Sequence, residues 1–458
     1  LTTYNLTSGQ TTSGLTLNNG DFLNISSGGS ATATVVDGGQ LNVSGGGTIT
    51  GTTVNGGQDL ILSGGTAIDT RVNSGGTEYI GGSQGGGIAY HTTVSGGVQD
   101  VVQSGTASGA IITAGGQQIV ILGGSVTSTT VDGGFEFIKN GGTATFSVIS
   151  NGGQEVVDSG GGASYTTVGS GGFSFVSGGG VIVSSVVGDG GTQTVQNGGV
   201  ATATILNSGA FEFVSSGGVA SGTTVNTGGN QTVDSGGIAR FTTVSSGAAQ
   251  YVNDGGVASS TVAVNSAFLN VYSGGLSISA NVSGAVEFLY GGTAEFTVVN
   301  GGGAVFVSSG GVASGTTALQ NGTVYVSDGG TASGTTASAG GNIYVFSGGI
   351  DDFATLSAGG FETVSSGGLA SGTTVSSGGS LNVSGGGTAS FATVSAGGNI
   401  TVSSGGTIIS ATLSGGLAQD TVSSGGRAEF TIVGPNALEV VSAGGTASGS
   451  TVSGSGAY

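Results

Sequence analysis

The stretch "SSGGVASGTTV" occupies Ser215 to Val225 and returns as "SSGGLASGTTV" at Ser365 to Val375, one letter changed. A catalytic motif is normally needed once, so near-identical copies identify a structural unit used repeatedly. Glycine pairs mark its period. They follow a "TTV"-like element at Gly152, Gly171 and Gly190, then as Gly-Ala at Gly209, then again at Gly228, each step about 19 residues. The same step separates Gly340, Gly359, Gly378 and Gly397, and the widest lies between Gly75 and Gly96. One unit reads as two short β-rich runs closed by glycines, "FEFVSSGG" (Phe211 to Gly218) and "VASGTTVNTGG" (Val219 to Gly229). Val and Thr favour strands, and glycine supplies the positive φ of sharp corners. Units this small cannot bury an apolar face alone and must stack. The repeat therefore predicts an all-β fold, a parallel β-helix or β-solenoid of roughly 24 coils, continuous as a single domain over residues 1–458.

Side chains in register support this. Ile138, Val157, Val176, Val195, Val214, Val233, Val252 and Val271 follow at the repeat interval, and the row continues through Leu289, Val307, Val326, Val345, Val364, Val383 and Val402. A second row comprises Val168, Val187, Leu206, Val225 and Val244, and later Val375, Val394, Leu413 and Ile432. These rows are the expected core. Composition excludes the two usual glycine-rich alternatives. Glycine is 104 of 458 residues but proline is a single residue, against collagen, and 36% hydrophobic with 6% charged residues is the wrong balance for a disordered linker. The formal net charge of -19, with only four basic residues, would repel phosphate backbones, so nucleic acid is not an expected partner. Cysteine is absent, which argues against disulfides and thiolate metal sites. No apolar run approaches the roughly 20 residues of a membrane helix.

Two outer rows stand out. Thr317, Thr336, Thr355, Thr374, Thr393, Thr412, Thr431 and Thr451 each precede a member of the second core row. Alternation on a strand puts these hydroxyls on the surface, either as ordinary exposed strand residues or as a hydroxyl face for self-association, sugar attachment or ice contact. Before the first core row comes an aromatic series, Phe137, Phe175, Phe213, Tyr251, Phe288, Phe306, Tyr325 and Tyr344. Phe is usually buried, which favours a core or corner role. The alternative is an exposed stripe, carried by Phe213, Tyr251, Phe306, Tyr325 and Tyr344, that would mark a contact surface. Glu155, Glu212, Gln231 and Gln250 lie two positions before core valines, so strict alternation would point them inward unless the chain bends.

Signals for chemistry are weak. His91 is the only histidine, and the serines around it are accounted for by the repeat, so no nucleophile, base and acid converge in sequence. Asp351 and Asp352 in "GGIDDFATL" read as a solvated turn rather than a glycosidase pair. The "DGG" turns at Asp37, Asp132, Asp254 and Asp328 are scattered, leaving at most weak surface calcium and no expected cofactor. No lysine follows the glycines in a phosphate-loop pattern.

The unit "GG-x-x-x-V-x-S-G-G-x-A-x-x-T-T-V", as in "GGNQTVDSGGIARFTTV" (Gly228 to Val244) and "GGFETVSSGGLASGTTV" (Gly359 to Val375), resembles the AIDA-type repeats of autotransporter passenger domains, self-associating adhesins of Gram-negative bacteria. The resemblance covers nearly the whole chain. It implies a secreted, surface-displayed β-helix acting in adhesion, aggregation or biofilm formation, often with sugars on Ser or Thr. Neither a signal peptide is read at "LTTYNLTSGQ" nor an export barrel at "TVSGSGAY", so the expectation is either a processed passenger or a repeat protein exported by another route. The expected function is a non-enzymatic adhesive or matrix protein at the bacterial surface. Its expected partners are further copies of itself, joined end to end or laterally as fibres or a surface layer, and surface glycans or proteins. Two alternatives stand against it. One is a polysaccharide-processing β-helix enzyme, disfavoured by four scattered basic residues and the lack of cleft-forming loops; the other is an ice-binding solenoid, disfavoured by a single threonine row.

Overall fold

Residues 1–458 are all described by a computed structural model, which is β-structure without a helix. It is a parallel β-solenoid of about 24 coils with a repeat of about 19 residues. Each coil has three sides rather than the two runs expected. In one representative coil the long side is Gln154–Val157, the middle side Gly162–Ser164 and the short side Thr167–Val168. All three pair in parallel with the next coil, Gln154 beside Phe173, Gly162 beside Val181 and Thr167 beside Val186.

The corners explain the glycines. After the long side, Ser159 and Gly160 both take positive φ (48° and 78°), and the Gly161 N–H donates to the Asp158 carbonyl at 2.8 Å, the geometry of a mirror-image β-turn. The second glycine has a different reason to be there. A Cβ on Gly161 would sit 2.1 Å from the Ile138 carbonyl oxygen of the preceding coil, so only glycine lets the backbones approach. Between middle and short sides, one left-handed residue turns the chain: Tyr165 here (φ 56°), Gly372 in a later coil (φ 69°). That single-residue corner splits what looked like one continuous run.

The chain forms two compact units, Leu1–Thr224 with Gly228–Gln231, and Val225–Thr227 with Thr232–Tyr458. In the first unit Ile138, Val157, Val176, Val195 and Val214 of the long side, and Val168, Val187 and Leu206 of the short side, are fully buried. In the second unit the same holds for the row from Leu289 to Val402 and for Val375, Val394 and Leu413. The middle side adds a row of small residues, such as Ala201 and Ala220, then Ala313 and Ala332. Burying each valine or leucine contributes about 1.5–3 kcal/mol, so stacking supplies what no single coil could.

The last part of the second row departs from expectation. Ile432 is 47% exposed, whereas Val433 and Thr431 are buried. The cause is one extra residue in the turn at Leu417, which is 84% exposed with φ 67°. It moves the register by one, so Leu413 pairs with Val433 and Thr412 with Ile432.

Behind the valines runs an interior row that is polar. Along the long side of the first unit, Asp59, Glu78, Gln99, Gln118, Glu136 and Glu155 have no exposure, as do Gln193 and Glu212. The glutamates and glutamines therefore do point inward, with no bend in the chain. The strand Gln154–Val157 alternates outward Gln154, inward Glu155, outward Val156, inward Val157. Facing them, just before the short side, lies a row of buried hydroxyls: Thr166 donates to Glu155 at 2.8 Å and Thr223 to Glu212 at 3.0 Å. Amides link neighbouring coils, Gln99 donating to Glu78 at 2.7 Å and Gln231 to Glu212 at 2.7 Å. In the second unit Glu287, Glu362 and Asp420 occupy the same row, and Asp351 is buried on the middle side. The solvated-turn expectation for Asp351 thus fails: it is the inward residue of the strand Ile350–Asp352, at a position where its ladder neighbours Ala332 and Ala370 point to the core.

Candidate contact surfaces

The threonine row is in place over six consecutive coils. Thr317, Thr336, Thr355, Thr374, Thr393 and Thr412 pair in order on the short side, each outward, half-buried or exposed. Thr431 is not part of it. The register shift buries Thr431 and puts Ile432 between Thr412 and Thr451, so the hydroxyl face ends in an apolar step.

The aromatic series faces outward, against the expectation of a core or corner role. Its members alternate with the buried row, as in the strand Thr323–Val326, where Val324 and Val326 are inside and Tyr325 is outside. Phe288, Phe306, Tyr325 and Tyr344 form one stack with centroids 5.2, 4.7 and 5.4 Å apart and ring planes within 20°. Face-to-face stacking covers the ring faces and leaves edges and phenol hydroxyls to solvent, which is why each ring counts as half-buried. Tyr251 stands apart, separated from Phe288 by Asn270 in the ladder, and Phe213 stacks only on Phe211 of its own strand.

A second set of rings was not legible in sequence. Phe296, Phe353, Phe391 and Phe430 occupy left-handed corners between middle and short sides, with φ of 57°, 61°, 56° and 56° and exposures from 59% to 67%. Phe146, Tyr165 and Phe241 do the same in other coils. A bulky residue at positive φ is an outlier, with a conformational cost of about 1–3 kcal/mol. The next coil often carries glycine at that corner: a Cβ on Gly372 would lie 2.9 Å from the Phe353 ring, and one on Gly449 would lie 2.8 Å from Phe430. Phe296, Phe353 and Phe430 therefore rest on bare backbone corners at Gly315, Gly372 and Gly449, whereas Ser410 follows Phe391 and Phe146 stacks on Tyr165.

His91 occupies another of these corners (φ 56°), its Nδ1 3.5 Å from Asp69 Oδ1, with both side chains exposed. Nowhere do three His, Cys, Asp or Glu side chains gather in a metal-holding group. The bulge of the longest coil makes a shallow recess lined by Leu62, Tyr79, Gln84 and Gln103, without an acid or a base. No helix is long and apolar enough to cross a membrane.

The carboxyls pushed furthest up are interior. Burial pushes the Glu287 carboxyl up to about 7, opposed only by hydroxyl donors at Ser277 and Thr297. Burial and then the neighbouring Glu155 raise Glu136 to about 8. Asp59 is driven well above the usual carboxylate range by burial and by Glu78 beside it.

The fold is thus a parallel β-solenoid whose outer rows are laddered in register. Residues 179–229 match the family described as adhesin of the bacterial autotransporter system, probable stalk. A crystal structure of a TibA fragment, hyper-glycosylated by TibC catalysis, is similar at 35% identity with a TM-score of 0.50, over 62% of this chain and 96% of that one. Among curated protein sequences none matches. The chain belongs to the AIDA-type passenger family of autotransporter adhesins, as its repeat unit implied.

Proposed function

We propose that this chain is a non-enzymatic adhesive segment, displayed at the cell surface, that binds laterally to further copies of itself through its corner rings and the neighbouring hydroxyl row. The family supports adhesion and a surface location. The observation that carries the finer reading is the strained, open phenyl corner. Phe353, Phe391 and Phe430 adopt a costly backbone conformation while burying little of their own surface, and glycine fills the same corner in other coils. Their retention is thus better explained by contact than by folding. Thr355 and Thr393 lie two residues beyond Phe353 and Phe391, so each ring is flanked by a hydroxyl.

The test follows from the repeat itself. Replacing Phe296, Phe353, Phe391 and Phe430 by glycine restores the conformation found in neighbouring coils, so the fold should be kept or slightly firmer. Surface-displayed variant chains are expected to lose self-association in a cell-settling assay by tenfold or more, at unchanged circular dichroism. Undiminished settling overturns the reading. A second reading concerns modification. Because the similar TibA fragment is hyper-glycosylated, the exposed threonines from Thr317 to Thr412 are proposed sugar acceptors, and intact mass of the chain from its native host tests this. A mass equal to that of the bare sequence overturns it.

A further inference from the structure

Interior acids are hard to reconcile with an interior that holds no positive charge. Beside Glu136 in the ladder are Gln118 and Glu155, and across from it are Ser147 and Thr129. Glu155 sees Glu136 and Ser174 along the ladder and Thr166 across it. Glu287 lies between Leu269 and Val305, with Ser277 and Thr297 opposite. Asp59 lies between Leu41 and Glu78. The basic groups are elsewhere: Arg71, Arg240, Arg427 and His91 are exposed, and Lys139 is half-exposed. An unpaired buried carboxylate is strongly unfavourable, and two in adjacent coils more so.

The hydrogen bonds show where protons would fit. Glu155 accepts from Thr166 on one oxygen and from Ser174 on the other, whereas Glu136 Oε2 has no donor. Glu78 Oε2 accepts from Thr92 and Gln99, whereas neither oxygen of Asp59 has a partner. In the first pair Glu155 is dressed on both oxygens and Glu136 has an empty one; in the second, Glu78 Oε1 and both oxygens of Asp59 are empty. The row itself supplies the neutral reference. Gln99, Gln118 and Gln193 occupy the same inward position, and glutamine is the isostere of a protonated glutamate.

We propose that the interior acids are proton-binding sites of the folded chain: they enter the core as neutral carboxylic acids, folding takes up protons from solvent, and pH thereby sets the firmness of the coils. The balance is one proton bound per acid neutralised, with no other reactant. Its sign follows from linkage. The folded chain holds more protons than the unfolded one between the ordinary glutamate value, about 4.3, and the raised folded values, so stability falls as pH rises through that window. Below the window the effect is absent, and above it the destabilisation is complete.

The test uses the full chain and three variants: Glu287→Gln, Glu136→Gln with Glu155→Gln, and Asp254→Asn as an exposed control that changes net charge equally. Urea unfolding is followed from pH 5 to pH 8. The unfolding equilibrium constant is expected to rise with pH, by up to about tenfold per pH unit for each interior acid. Glu287→Gln should remove one such factor, and Asp254→Asn should leave the slope as it is. A slope unaltered by Glu287→Gln, or stability that rises with pH, overturns the proposal. Infrared spectroscopy gives a readout that does not depend on any variant folding. At pH 6 the wild-type chain should show the carbonyl band of protonated carboxylic acid, and absence of that band overturns the proposal. Dialysis against a chelator should change nothing; a chelator-dependent loss of stability would mean that a bound cation, not protons, balances these acids.

Discussion

The long-side interior row differs between the two units. From Asp59 to Gln231 in the first, every inward member at that position is polar, with Ser174 as the smallest. In the second, Leu269, Val305, Val324, Ile343, Leu381 and Ile400 dominate, and Glu287 and Glu362 are isolated among them. Both units are built from the same three-sided coil of about 19 residues. What differs is how a buried acid is supported: Glu212 accepts from Gln193, Gln231 and Thr223, whereas Glu287 has hydroxyls only. A polar column and an apolar column are thus alternative fillings of one scaffold, and Glu212 has amide donors from both neighbouring coils that Glu287, between Leu269 and Val305, lacks.

Ile343→Ala would break the apolar column at its centre. A loss of about 2–5 kcal/mol in urea unfolding is expected, because the neighbouring coils cannot collapse into the cavity without giving up their ladder. Glu212→Leu sharpens the contrast. It removes one buried acceptor from the Gln193 and Gln231 amides and from the Thr223 hydroxyl, for an expected loss of about 2–4 kcal/mol, whereas Glu287→Leu between Leu269 and Val305 should change stability by about 1 kcal/mol or less. Equal losses for the two would remove the distinction between the columns. Outside the apolar column, Tyr325→Ser takes a ring from the middle of the stack, and about 1–2 kcal/mol is expected from its two ring contacts at 4.7 and 5.4 Å. Thr374→Val, on the outer short side, should fall within about 0.5 kcal/mol. Hydrogen exchange on the same variants would show whether each loss stays within the coils that flank the change.

The valine rows were legible because a buried strand residue must be apolar and must recur at the coil length. Glycine pairs were legible for the same reason: Gly160 takes the positive φ that glycine adopts most readily, and Gly161 stands where a Cβ would meet the Ile138 carbonyl. Three features were hidden. The third side is set by a single left-handed corner, and where phenylalanine holds that corner, as at Phe353, propensity argues against a turn. The interior acids were only half legible: alternation pointed Glu155 and Glu212 inward, but their partners, Thr166 and Thr223, lie on another side of the coil. Of the surface rows, the threonines lie outward from Thr317 to Thr412, and Thr431 is buried. There one inserted residue outweighed a period that had held for six coils.

That insertion says something about how such a chain can change. Leu417 is accommodated wholly within one turn: Leu413 still meets Val433, and Asn399 to Val402 still meet Gln419 to Val422 in parallel. The extra residue neither propagates nor needs a compensating deletion. A fold with this property forgives copying errors in length, so its lineage can drift by single residues at the turns, and by whole coils between them, while the ladders re-form on either side.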